Sequence, residues 1–133
     1  MGIKSSGTGL EYLAAHEARR MLDTGEVSSV DLTRAVLQQI ERLEPILHSY
    51  VTVTFEKAVL QAEKADQRLR EGSQPASRLT GVPVMVKDNI STAGVYTTAG
   101  SQMLKDYMPP YDASAVIRLR QQDAVIVGKG NMD

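Results

Sequence analysis

A short apolar run that ends on one lysine constrains the fold of this chain more than any other feature. Residues 82–86 read V-P-V-M-V, Lys87 follows, and residues 88–100 form a loop rich in glycine and threonine. Nearly continuous apolar residues are typical of a strand that is covered on both faces. Pro83 restricts this strand to starting there or to lying at an edge, because proline cannot donate a hydrogen bond to a β-ladder.

A second apolar run follows the same logic further along the chain. Residues 124–127 read A-V-I-V and lead into the glycine-rich residues 128–131. Between the two runs, Pro109-Pro110 interrupts regular structure, and Asp112 can cap a helix that reaches about Gln121 by accepting from its first free amides. Strand, loop, helix and strand in this order predict one right-handed βαβ crossover with parallel strands.

The first half of the sequence predicts helices with one short strand among them. Apolar side chains recur at helical spacing, and glycine or proline stands at each expected end. The predicted elements are a helix from Leu10 to Gly25, a helix from a Ser28–Asp31 capping box to Pro45, a strand over residues 49–54 and a helix over residues 55–71. The predicted fold class is therefore α/β, with N-terminal helices followed by the βαβ unit.

Composition excludes several classes of protein and of site. The 133 residues carry a net charge of −1 and no cysteine, so we expect no disulfide, no thiolate nucleophile and no strong attraction to nucleic acid. Two histidines are too few for a metal cluster, and no apolar run approaches the roughly 18 residues that a membrane span needs. Residues 1–9, with three glycines, predict a flexible leader.

Polar residues at the ends of the two apolar runs are the candidate site. Lys87 ends the first run, and Lys129 and Asn131 follow the second, so a parallel sheet would bring them to one edge. Taken alone, however, a lysine that ends an apolar strand is most often a solvated cation, and this interpretation applies to both lysines. The clustered hydroxyls of residues 91–101 can equally be turn formers, and no Walker phosphate loop is present.

The order of several motifs changes this interpretation. The segments G-V-P-V-M-V-K-D-N-I, T-T-A-G-S, P-P-Y-D-A and A-V-I-V-G-K-G-N-M-D succeed one another between residues 81 and 133. Together they resemble the N-terminal part of the amidase signature family, and within it the glutaminase subunits of aspartyl/glutamyl-tRNA amidotransferases. The resemblance extends from about Leu10 to the end. It implies that residues 10–133 are the N-terminal portion of one domain with a larger mixed-sheet α/β/α fold.

The resemblance implies a Ser–cis-Ser–Lys hydrolase in which Lys87 is the catalytic base. In that family the lysine accepts a proton through a bridging serine, and the activated second serine attacks the side-chain amide of glutamine and releases ammonia. A lysine base must be neutral when it acts, which requires burial that lowers its pKa from about 10.4. A carboxylate nearby would oppose this, so we expect Asp88 to point away from Lys87, toward amides or solvent.

The same resemblance implies that both serines and the amide pocket lie beyond Asp133, so the isolated chain is expected to be inactive and its strand edges to promote association. The implied partners are a tRNA-binding subunit, which would hold ATP and magnesium, and a small accessory subunit. Glutamine would be the substrate, tRNA would bind only through the partner, and the location would be cytoplasmic and away from membranes. The chain itself is expected to hold no cofactor and no metal.

Two alternatives stay open on the sequence. The chain could be the corresponding fragment of a general amidase of the same family, which the sequence after Asp133 or co-purification with a tRNA-binding partner would distinguish. It could also be a non-catalytic binding or assembly module, for which a stable monomer with a cooperative melt would be evidence.

Overall fold

A computed structural model describes residues 9–72 and 76–132. Residues 1–8, which make up nearly all of the predicted leader, lie outside these ranges. The helices are α1 (Ala15–Thr24), α2 (Ser29–Leu47), α3 (Phe55–Glu71) and α4 (Ser114–Gln121), with short 3-10 turns at Leu10–Tyr12 and Gln102–Leu104. The strands are β1 (Tyr50–Val53), β2 (Pro83–Lys87) and β3 (Val125–Gly130).

The three strands form one mixed sheet with β3 in the middle. The order is β1-β3-β2, with β1 antiparallel and β2 parallel to β3. The β2–α4–β3 segment is therefore the predicted βαβ unit with parallel strands, and the strand predicted at residues 49–54 joins its far side. This confirms the mixed α/β fold class.

The central strand of the sheet is β3, and the strand formed by the first apolar run lies beside it. All six positions of β3 are buried, whereas β2 is an edge strand of the described sheet, and its Met85 is 53% exposed. The prediction that residues 82–86 are covered on both faces was therefore wrong. The apolar run resembles a buried strand in sequence, but within the described residues Val86 is the one buried position of β2, where it packs with Val116 and Ile126.

Helices cover both faces of the sheet. On one face α2 and α3 contact Val125 and Val127 of β3, and on the other α4 contacts Ile126 through Val116. Alternate residues of a strand point to opposite faces, so three consecutive side chains of β3 serve both layers. The described part of the chain is thus a three-layer α/β/α arrangement.

The loop before β2 is fixed by the first two helices. Arg19 of α1, although buried, donates to the carbonyl of Thr80 at 2.6 Å, and the hydroxyl of Ser29 donates to the carbonyl of Gly81 at 2.8 Å. Gly81 has φ of +78°, and a Cβ there would lie 3.0 Å from the Ser29 side chain. A glycine is therefore required where the chain turns into β2.

Two helix boundaries differ from prediction. The first helix is interrupted, because Leu13 and Ala14 are extended and the Glu17 carboxylate accepts from the Ala14 amide to start α1 anew. The second helix does not end at Pro45 but continues to Leu47. Proline lacks the N–H that would bind the carbonyl of Glu41, four residues earlier. This loss affects only the end of the helix, and Glu41 is exposed to solvent.

Of the remaining helix predictions, the bounds of α3 and the Ser28 cap are confirmed, and the Asp112 cap is wrong. The bounds of α3 are as predicted, and the Ser28 hydroxyl accepts from the Asp31 amide at 3.0 Å, as the capping box requires. Asp112, in contrast, does not cap α4. Its carboxylate accepts from the Ala93 amide at 2.7 Å and pairs with Arg120 at 2.9 Å, and α4 begins after Ala113.

The start of α2 also depends on a carboxylate from α3. Asp66, 8% exposed, accepts from the amides of Ser29 at 2.6 Å and Val30 at 3.1 Å. Free amides at a helix start need acceptors, and an anion there also complements the helix dipole. Asp66 therefore couples the packing of α3 to the first turn of α2.

We expect Asp66→Ala to lower the free energy of unfolding by about 2 kcal/mol, because two amides at the start of α2 lose their acceptor. Urea denaturation of the purified chain measures this loss. Glu63→Ala, on the exposed side of the same helix, is the control and should change stability by less than about 0.5 kcal/mol. Equal effects of the two substitutions would contradict the capping role.

We expect Gly128→Ala to separate β1 from β3. A Cβ at residue 128 would lie 2.5 Å from the backbone oxygen of Thr52, which cannot move without shifting β1. The expected cost is about 1–3 kcal/mol of unfolding free energy, measured by urea denaturation.

Gly130→Ala is the matched control, because the three atoms nearest to its Cβ all belong to the flexible Met85 side chain, with the sulfur at 2.6 Å. It should cost clearly less than Gly128→Ala. A Gly128→Ala chain as stable as the parent would show that β1 does not approach β3 this closely.

Candidate functional site

The site is built where β2 and β3 end on the same edge of the sheet. Lys87, the last residue of β2, lies opposite Gly130, the last residue of β3, and its side chain is half-buried. Lys129 is the neighbour of Val86 in the same ladder. The parallel pairing therefore brings the two predicted lysines to one end of the sheet, as the sequence suggested.

Asn131 takes a different direction from the one that we predicted. Its side-chain amide donates to the carbonyl of His48 at 3.0 Å, and its backbone amide donates to the carbonyl of Ser49 at 2.8 Å. Both partners lie in the connection between α2 and β1. Asn131 therefore holds the end of β3 to that connection rather than joining the lysines.

Lys129 is not a solvated cation. Its side chain is fully buried, and its ammonium donates to the carbonyl of Ile90 at 2.9 Å and to the hydroxyl of Thr97 at 2.8 Å. The Oδ1 atom of Asp88 lies 3.5 Å from Nζ, an ion-pair distance that is too long for a well-formed hydrogen bond. Three oxygens thus surround a group with three protons.

This environment acts on the pKa of Lys129 in two directions. Burial lowers the pKa below its ordinary value, because the charged form loses its hydration. The Asp88 carboxylate opposes this effect, and burial is the larger of the two. The interpretation of Lys129 as a solvated cation was wrong because β3 continues through residues 128–130, which in sequence have the glycine pattern of a turn after the strand.

Asp88 is the second fully buried charge. Its Oδ2 atom accepts from the backbone amide of Thr98 at 3.0 Å and from the Thr98 hydroxyl at 2.5 Å. The expectation that Asp88 faces amides is confirmed, and the alternative that it faces solvent is wrong, since none of its side chain is exposed. Sequence reasoning did not identify Lys129 as its partner, because Lys87 is the lysine adjacent to it in the chain.

Hydrogen bonds of the Asp88 backbone close the loop after β2. The Asp88 amide donates to the carbonyl of Gly130 at 2.9 Å, and the Asp88 carbonyl accepts from Ala99 at 3.0 Å. The hydroxyls of Thr92 and Thr97 donate to carbonyls within the loop. The interpretation of these hydroxyls as turn formers therefore agrees with their contacts, and Thr97 also serves Lys129.

The described part of the chain contains neither a candidate metal site nor a candidate membrane-spanning helix. Residues 9–72 and 76–132 contain no group of three His, Cys, Asp or Glu side chains that could hold a metal ion. Within the same ranges, every helix is too short or too polar to cross a membrane.

Comparison with known proteins decides the family. The sequence profile of the Amidase family matches residues 31–133. The chain belongs to the amidase signature family. Solved structures of this family agree with the fold: the native peptide amidase of Stenotrophomonas maltophilia superposes with a TM-score of 0.82 at 32% identity, covering 97% of this chain and 25% of that enzyme. An amidase family protein of Bacillus anthracis gives a TM-score of 0.82 at 30% identity, covering 98% of this chain and 28% of that protein.

Similar curated sequences are the A-subunits of glutamyl-tRNA(Gln) amidotransferases. The protein from Desulfosudis oleivorans is 50% identical over 121 residues, which is 91% of this chain and 24% of that protein. The one from Thermoanaerobacter pseudethanolicus is 41% identical over 124 residues, or 93% of this chain and 25% of that protein. The chain therefore spans about a quarter of the length of these relatives.

We expect Lys129→Met and Asp88→Asn each to lower the free energy of unfolding by about 3–5 kcal/mol, because each leaves a buried charge without its partner. The double variant should lose much less than the sum of the two, since it buries no charge. Asn at residue 88 can still accept from the Thr98 amide. Urea denaturation of the four chains gives the interaction energy.

The exposed pair Lys105–Asp106, with 4.0 Å between Nζ and Oδ2, is the matched control. The same cycle with Lys105→Met and Asp106→Asn should give an interaction energy of less than about 1 kcal/mol. Additive losses at Lys129 and Asp88 would show that the two charges do not stabilise each other.

Proposed function

We propose that this chain is the lysine-bearing quarter of a glutaminase subunit that supplies ammonia for tRNA-dependent transamidation in translation. The observation that carries the proposal is the 50% identity to the A-subunit of the Desulfosudis oleivorans amidotransferase over 91% of the chain. Identity to the peptide amidase of Stenotrophomonas maltophilia, over a similar share of the chain, is 32%.

In this proposal Lys87 is the general base of a Ser–cis-Ser–Lys site. It would accept the proton of the nucleophilic serine through the bridging serine, and that serine would attack the carboxamide of glutamine. Water would then hydrolyse the acyl-enzyme to glutamate. Both serines would come from the other three quarters of the glutaminase, so the 133-residue chain alone should not turn over glutamine.

The partial exposure of Lys87 supports this division of the site. A lysine base needs a desolvated environment, and within the described residues β2 is an edge strand whose Lys87 is only half-buried. The cover that is still needed would be supplied by the rest of the glutaminase. The tRNA-binding subunit, with ATP and magnesium, and a small accessory subunit would complete a cytoplasmic complex.

A general amidase of the same family is the second candidate, because solved amidases share the fold over nearly the whole chain. Two chimeras separate the candidates. In one, this chain replaces the matching segment of the Desulfosudis oleivorans A-subunit, produced with its partner subunits. In the other, it replaces the matching segment of the peptide amidase. We expect glutamine hydrolysis in the first and little activity in the second. The reverse result would favour the general amidase.

We expect Lys87→Ala to lower kcat for glutamine hydrolysis by at least about 100-fold in the active chimera, since general-base catalysis contributes about that much. Lys87→Arg should be equally impaired, because a guanidinium does not give up its proton. Release of ammonia from glutamine is the measurement.

Lys105→Ala, which removes a mostly exposed lysine, is the control and should retain the parent activity. A Lys87→Ala chimera with parent activity would contradict the assignment of the base, and turnover of glutamine by the isolated chain would contradict its dependence on the rest of the glutaminase.

A further inference from the structure

An apolar groove of about 540 Å³ runs between α2 and α3, on the side of these helices that faces away from the sheet. Leu37, which is buried, and Val59, which is half-buried, line it together with two exposed apolar side chains. Phe55 is 38% exposed and Leu60 is 57% exposed. Large apolar side chains that are exposed side by side and bordered by polar residues are typical of a surface that binds another protein.

The charged side chains on the α2 side of the groove have opposite signs. Arg34 and Glu41 both line the groove, with Gln38 between them. A separation of seven residues is two helical turns, or about 10 Å, so the two charges lie on the same side of α2. Both side chains are exposed, and neither has a hydrogen bond or an ion pair with residues 9–72 or 76–132. Both charges are therefore available to a partner outside the chain.

A second copy of α2 has the charges that complement this arrangement. In a two-fold symmetric contact, each residue faces the same counterpart from both sides of the interface. An axis that crosses α2 between Leu37 and Gln38 makes the two α2 helices antiparallel and places Arg34 of each chain opposite Glu41 of the other. Both ion pairs then form at once. A parallel arrangement would place like charges opposite each other.

The same symmetry axis covers the exposed apolar residues of α3. The helices α2 and α3 are antiparallel, because Asp66 near the end of α3 binds the Ser29 amide at the start of α2. Leu37 and Ala58 belong to one buried cluster, so an axis beside Leu37 crosses α3 near residue 58. Phe55 and Leu60 lie on either side of this point. Phe55 of one chain therefore faces Leu60 of the other.

We propose that the groove between α2 and α3 is the interface of a two-fold symmetric homodimer. Burial of Phe55 and Leu60 supplies the apolar contact, and the two ion pairs between Arg34 and Glu41 determine the antiparallel register. A net charge of −1 for each chain gives little repulsion between the copies. The open edge of β2 is less suited to bind a second copy, because it starts with a proline and ends with a lysine, which both disfavour strand pairing.

Sedimentation of the purified 133-residue chain at several concentrations tests the proposal. We expect a species of twice the 14.5 kDa of one chain, with a dissociation constant in the micromolar range. Arg34→Glu and Glu41→Arg should each raise this constant by at least about tenfold, because both ion pairs become contacts between like charges. The double variant should return to near the parent value, because opposite charges face each other again. Rescue of this kind requires that the partner carry both substitutions, as a second copy does.

Arg118→Glu is the matched control. Arg118 is exposed on α4, which covers the other face of the sheet, and its substitution changes the net charge as much as Arg34→Glu does. It should leave the dissociation constant unchanged. Leu60→Gln is the second test, because Leu60 is already largely exposed in the single chain and its loss should not unfold it. This variant should also weaken the dimer by at least about tenfold, and it decides the outcome if a charge variant does not fold.

Three results would overturn the proposal. A parent chain that stays monomeric at about 0.1 mM would show that a second copy does not bind the groove, and would leave a helix of another protein or of a longer glutaminase as its occupant. A dimer that neither Arg34→Glu nor Leu60→Gln weakens would form through another surface, such as the edge of β2. Folded single variants that weaken the dimer without rescue by the double variant would exclude the pairing of Arg34 with Glu41.

Discussion

The ion pair between Lys129 and Asp88 ties together the two strands and the loop that form the candidate site. Its charges have no contact with water, so their hydration has to be replaced by fixed oxygens and amides. Ile90, Thr97 and Thr98 supply these groups from the loop after β2. The path of that loop is therefore determined by the buried ammonium of Lys129 at the end of β3, because another path would leave this charge without hydrogen-bond acceptors.

The layers of the fold create the conditions for this pair. β3 is flanked by β1 and β2 and covered by α2 and α3 on one face and α4 on the other, which removes its end from solvent. Gly128 allows β1 to approach the strand closely. Asp66, Arg19 and Ser29 act further away, fixing the start of α2 and the turn into β2. Lys87 lies at the boundary of this construction, half-buried on an edge strand. The chain belongs to the amidase family and spans about a quarter of the length of the relatives that it matches.

Sequence reasoning predicted the parts that depend on local pattern. Periodicity and turn chemistry predict four features that the structure confirms: the helix over residues 55–71, the start of β2 at Pro83, the cap at Ser28 and the parallel β2–α4–β3 unit.

The errors arose where a contact between residues distant in sequence determines the structure. Asp112 has the sequence of a cap, but a loop amide and Arg120 compete for its carboxylate. Lys129 stands between Gly128 and Gly130, a pattern typical of a turn. In the structure it is part of β3, because it pairs with β1 on one side and with β2 on the other. The sequence signal for the ion pair was an aspartate directly after β2 and a lysine at the end of a buried run. The register of the sheet, which the sequence does not show, brings these two residues together.

The central claim is that Lys129 is held as a charged, water-excluded ammonium beside Asp88. A 15N NMR spectrum of the lysine side chains of the purified chain near neutral pH tests it most directly. We expect one ammonium signal whose protons exchange slowly with water, and which is absent from the spectrum of Lys129→Met. A Lys129 signal that exchanges as fast as those of the exposed lysines, or that shows a neutral amine, would contradict it.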